Sequence, residues 1–145
     1  MADPRLAVSF AEIGALYASF KSDGVSIVYN ATVDNGADSD TIGHAVNLSA
    51  ADTVQLAADG EAVLGKLIKV EADGICTVQI RGAMTLPGGN GASLTLGKKI
   101  VGALDGSSKK GHIREVATAT AAELGLARGF IVDAGTTTAV ELFLL

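Results

Sequence analysis

From Val25 onward, apolar and polar residues alternate in short runs broken by turn residues, a period of two that predicts strands. Val25, Ile27 and Tyr29 share one face of a first candidate, with Ser26, Val28 and Asn30 on the other. Further strands are expected at Ala45 to Leu48, Thr53 to Ala57, Ala62 to Val70 and Ile75 to Arg81. Asp59-Gly60 and Asp73-Gly74 separate the later ones, and each reads as a hairpin turn, because Asp bonds the local backbone and Gly accepts positive φ. In Ile75 to Arg81, Cys76, Val78 and Ile80 point one way and Thr77, Gln79 and Arg81 the other, the pattern of a half-buried antiparallel strand.

The stretch from Leu86 to Gly91, LPGGNG, reads as a loop. Strands near Ile100 to Leu104 and Ile113 to Val116 flank a polar segment, Asp105 to Gly111. Ala, Glu and Leu between 118 and 127, closed by Gly129, predict one short helix. Strands return at Phe130 to Val132 and Ala139 to Leu144. The expected fold is mainly β: a small β-barrel or β-sandwich of antiparallel hairpins.

The first residues follow a different pattern. Phe10, Ile13, Leu16, Tyr17 and Phe20 recur at spacings of three and four, the stripe of a helix, and Ser9 with Glu12 forms a capping box. Against this, Pro4 disfavours helix before it, and Leu6, Val8 and Phe10 alternate as one face of an extended arm. Residues 1–24 are therefore read as an N-terminal arm or helix, and 25–145 as a single β domain.

Composition narrows the function classes. The chain has 145 residues, enough for a self-sufficient core that buries roughly 68% of the unfolded surface. With 16 acidic against 11 basic residues, direct nucleic-acid binding is not expected, since it needs clustered cations to displace counterions. No apolar run approaches the ~20 residues that span a bilayer, and no signal core is evident in MADPRLAVSF, so neither a membrane nor a secretory route is expected. The lone Cys76 cannot staple the chain to itself.

Candidate chemistry is sparse. Cys76 sits on an apolar strand face, where a thiol acts as a small hydrophobe, and His44 and His112 read as strand-end or loop residues. Residues 44, 76 and 112 lack the paired spacing of a zinc site, and Asp34, Asp38 and Asp40 lack the full calcium-loop pattern. In GASLTLGKK, Ala92 and Lys99 stand where a phosphate loop needs Gly and Ser or Thr. Lys98, Lys99, Lys109 and Lys110 read as solvated charges or partner contacts. No catalytic residue, metal ligand or cofactor is assigned, and the chain is not expected to be an enzyme.

One stretch carries a resemblance. Val54 to Gly82, VQLAADGEAVLGKLIKVEADGICTVQIRG, resembles the small β-barrel core of tailed-phage capsid decoration, or cement, proteins. The matching positions are Asp59-Gly60-Glu61, Gly65, Asp73-Gly74, Thr77-Val78 and Gly82, and Gly125 to Leu144 matches more loosely. The resemblance implies a structural virion protein, a homotrimer on the outer capsid surface, assembled in the host cytoplasm and stabilising the major capsid protein lattice. Leu6, Val8 and Phe10 are then the capsid-contact candidates. The alternative is a ligand-binding or host-surface adhesion barrel, although few aromatic residues are present for stacking on carbohydrate.

Overall fold

The Asp73-Gly74 turn forms as its chemistry dictates. In the computed structural model, which describes residues 14–145 except 39, 93, 118–120 and 137–138, Gly74 has φ 80° and the Asp73 carboxylate accepts the Ile75 N–H at 3.1 Å. The turn joins strands β4 (Gly65–Val70) and β5 (Ile75–Leu86) in an antiparallel pair that sets Val70 opposite Cys76 and Leu67 opposite Val78. These four apolar side chains are all buried. Strand β5 runs on past Arg81, where the sequence suggested an end, because Gly82, Met84 and Leu86 continue its inward alternation. Gly82 marks a bend at φ 99° and not a stop.

Four further strands precede or follow this hairpin in space: β1 (Leu16–Ser22), β2 (Ala45–Ala50), β3 (Thr53–Leu56) and, beyond the barrel, β6 (Ile100–Ala103). The order β1-β3-β2-β4-β5 returns to β1 and closes a five-stranded barrel. The closing contact is parallel, Lys21 opposite Thr53 and Ser22 opposite Val54, whereas β1 runs antiparallel to β5 from Leu16–Arg81 to Lys21–Ile75. Val46, Val54, Leu56, Leu67, Val70, Cys76 and Val78 fill its interior with Ile27 and Ala37, and Phe20 packs against them.

Three expectations give way here. Leu16, Tyr17 and Phe20 lie on a strand and not on a helical stripe, so the described end of the presumed arm is part of the sheet. Asp59-Gly60 is not a hairpin turn, since β3 and β4 each pair with β2 and not with each other. The hairpin lies one turn earlier, between β2 and β3, where Asp52 takes the left-handed conformation at φ 55°. Val25 to Asn30 forms no strand. The Asp23 carboxylate accepts the N–H groups of Val25, Ser26 and Ile27 and the Ser26 hydroxyl, which winds the chain. Ile27 is thereby buried while Val25 stands 85% exposed, so the two no longer share a face.

A second layer grows from the far half of β5. Strand β9 (Ala139–Leu144) pairs with Gly82 to Leu86, and β8 (Phe130–Thr136) pairs with β9. Strands β6 and β7 (His112–Glu115) form a separate hairpin. Met84, Leu86, Ile100, Ile113, Ile131, Val140, Leu142 and Leu144 pack with Ala45, Ala57 and Val63 into a second core. β6 reaches this core only because Gly102 lacks a side chain: a Cβ there would overlap the Ala58 carbonyl. The Gly60 N–H donates to Gly102 O at 3.0 Å and the Gly102 N–H to Glu61 O at 2.8 Å, so the Asp59-Gly60 turn clasps β6. The short helix α1 (Ala121–Leu126) lies within the expected span and buries none of its own residues.

The small β-barrel of the sequence reading is thus the fold, with one short helix.

Candidate functional site

His44 precedes β2 and His112 opens β7, and the fold brings them together with ring centroids 5.1 Å apart and planes inclined at 75°. The His44 Nδ1 lies 3.2 Å from the Ile42 carbonyl, so its N–H donates there and Nε2 is left as an acceptor. His112 Nδ1 is enclosed and finds no hydrogen-bond partner among the described residues. Burial pushes the proton affinity of His44 down, the Ile42 bond and Asp40 oppose this, and His112 and Lys109 add to it. Lys109 Nζ pairs with the Asp40 carboxylate at 2.9 Å, across from the rings. Sequence spacing gave no sign of this meeting, because 68 positions separate the two histidines (112 − 44) and only the clasped β6–β7 hairpin closes the gap.

Cys76 is fully buried in the barrel core. Burial, with the negative charge of Asp23 behind it, pushes its thiol up to about 11. A thiol so placed stays protonated at neutral pH and packs as a hydrophobe.

The acidic loop is braced from within. Asp38 accepts a 2.8 Å bond from the Asn30 amide, and its backbone carbonyl accepts the N–H groups of Thr41 and Ile42. Val33, Asp34, Asn35, Ala37 and Ile42 line a shallow groove beside it. Among the described residues, no three His, Cys, Asp or Glu side chains are grouped to hold a metal ion. The lysine pairs take part in the backbone: Lys98 O accepts the Ile131 N–H, and Lys99 O accepts the Val116 N–H.

Two arginines that composition could not single out organise the surface. Arg114 on β7 bonds Asp59 through Nε at 2.9 Å and Glu123 through both terminal nitrogens at 2.6 and 3.0 Å. The Glu123 bond, then Asp59, hold this guanidinium protonated, while Arg114 and the Ala117 N–H hold the Glu123 carboxyl below its usual range. Arg128 instead donates to four carbonyls, those of Val63, Leu64, Ile80 and Leu145. It rivets the approach to β4, the middle of β5 and the end of β9.

Several large apolar side chains of the described residues remain exposed. Phe130 and Phe143 stack with centroids 6.0 Å apart and planes at 11°. Val132, Leu124 and Leu126 on the same chain segment are about half exposed, as is Leu16 on β1. Gly14, the first described residue, packs beside the Phe143 ring. The capsid-contact candidates Leu6, Val8 and Phe10 lie outside the described residues.

No helix among the described residues is long and apolar enough to cross a membrane. The chain shows no significant match to a protein family, a curated protein or a solved structure.

Proposed function

We propose that the chain is a structural virion protein of a tailed phage, a homotrimer that binds the outer surface of the capsid and stabilises the lattice of the major capsid protein. The observation that carries this reading is where the resembling stretch falls. Val54 to Gly82 supplies β3, β4 and the barrel half of β5, so its resemblance to decoration proteins concerns three of the five barrel strands and not scattered loops.

The physical logic is linkage. A protein that binds the assembled shell but not free subunits shifts the equilibrium toward the shell, and three copies acting together multiply weak single contacts. Leu6, Val8 and Phe10 are the proposed anchors, an apolar row that would lie in a groove of the capsid surface. The exposed Phe130–Phe143 face offers a second apolar surface close to the point where residues 1–13 join the described chain.

The test is to add purified protein to expanded capsids that lack it, then to measure bound copies and shell melting. Stoichiometric binding with a rise in capsid melting temperature is expected, and both should fall for a Leu6→Ala, Val8→Ala, Phe10→Ala variant. Failure of the wild-type protein to bind or to raise the melting temperature would overturn the reading.

A further inference from the structure

The segment from Asp105 to His112 is fastened to the barrel at few points. Gly111 O accepts the Ala45 N–H at 2.7 Å and the Gly111 N–H donates to Ala57 O at 2.8 Å. Beside these bonds stand the Lys109–Asp40 ion pair and the contact between the His44 and His112 rings. Gly111 itself packs against both His44 and Leu56, so this segment covers the Leu56 end of the barrel core.

We propose that the His44–His112 contact is an acid-released latch, which holds Asp105–His112 on the barrel while the rings are neutral and frees it when both are protonated.

Neutral imidazoles suit the T-shaped geometry, in which the edge of one ring meets the face of the other. Protonation spoils it in two ways. His112 would gain a charged N–H at Nδ1, in an enclosed position with no acceptor among the described residues. The two rings would also become like charges in contact, with the Lys109 ammonium near both His44 and Asp40.

The carboxylates nearby are already engaged. Asp40 accepts from Lys109, and Asp105 accepts the N–H groups of Ser107 and Lys109 at 2.7 and 2.8 Å. Asp105 faces His112 and offsets part of its charge, and Asp40 does the same for His44. Lys66 reaches Gly43 from β4 and adds a further positive group on the barrel side. Both aspartates are held below their ordinary range, so they remain charged across mildly acidic pH. An imidazole is the side chain whose charge ordinarily changes across mildly acidic pH, and burial moves that change at His44 to the acid side of its usual value.

Amide hydrogen exchange on the full-length protein tests the latch, with rates corrected for the intrinsic pH dependence of exchange. Protection of the Gly111 and Ala45 amides should fall about tenfold or more between roughly pH 8 and pH 5, while that of Ile100, bonded to Arg128 O on the far side of β6, stays constant. The His44 ring proton resonances of the same sample should titrate over the same interval. A His44→Phe, His112→Phe variant, which keeps two rings but no titration, should hold its protection across the range. A His44 ring that titrates while Gly111 stays protected would overturn the proposal. So would a Phe variant that loses protection in parallel with the wild type. The experiment needs no capsid, so it stands or falls apart from the capsid reading.

Discussion

Arg114 and Glu123 form a two-pronged ion pair, Nη2 to Oε1 at 2.6 Å and Nη1 to Oε2 at 3.0 Å, and this pair positions helix α1. The helix buries none of its residues, so apolar packing gives it little hold. Glu123→Gln removes the charge and one acceptor oxygen. Local opening of residues 121–126 should rise roughly tenfold by hydrogen exchange, with global melting little changed. A large drop in melting temperature would show that the pair supports the core and not the helix.

Arg128 makes the opposite prediction. Its donors satisfy carbonyls on three separate segments, so Arg128→Met leaves several acceptors unpaired at a half-buried junction. A loss of about 2–3 kcal/mol in global stability is expected from a denaturant midpoint. Arg128→Lys should recover only a minor part, because an ammonium cannot reproduce the planar fork.

Asp23 gives an acid-sensitive contribution. Burial alone would raise its pKa, but the hydrogen bonds from Ser26, Ile27 and Val25 outweigh burial and lower it from 3.8. A carboxyl with a depressed folded pKa stabilises the fold above its unfolded value and loses that contribution as pH falls through the folded value. Asp23→Asn keeps the acceptor for the backbone but places an amide nitrogen or a neutral oxygen against the Ser26 hydroxyl, which itself accepts the Leu56 N–H at 2.9 Å. The expected loss at neutral pH is about 1 kcal/mol after solvent screening, shrinking below about pH 3.8. Urea midpoints of both proteins at pH 7 and pH 3 check the sign.

Gly102→Ala tests the clasp on β6. The added methyl would overlap the Ala58 carbonyl, and backbone cannot yield as a flexible side chain can. Destabilisation of about 1–3 kcal/mol is expected. Gly91→Ala, with open space around its Cβ but φ 61°, should cost less. Equal losses would mean that contact with Ala58 is not what matters.

The thiol of Cys76 should report unfolding. Buried and shifted up to about 11, it should resist thiol reagents at neutral pH and react at the rate of opening. Fast labelling of the native protein would contradict its place in the barrel core.

The legible parts of the sequence were those where one local signal sufficed. Cys76, Val78 and their Asp73-Gly74 turn announced β4–β5, since alternation and turn chemistry agreed. Asp59-Gly60 carried the same turn chemistry but serves a clasp, because which strands pair is set by the whole barrel and not by the turn. Val25, Ile27 and Tyr29 alternated convincingly, yet three backbone bonds to Asp23 overrode the pattern. The β2–β3 turn at Asp52 escaped notice because no glycine marks it. At the candidate site, the His44–His112 contact and the four carbonyls around Arg128 depend on long-range packing, which no spacing along the chain encodes.

Strand β5 places Val78 in one core and Met84 in the other, along one continuous strand that pairs with β1 and β4 in its first half and with β9 in its second. It works as a keel. Tension applied to either half of the molecule is shared by this strand, and a slip in its register would turn the side chains of both cores outward together. The two halves should therefore give way as one event under mechanical load, with no resting stage in which one remains intact.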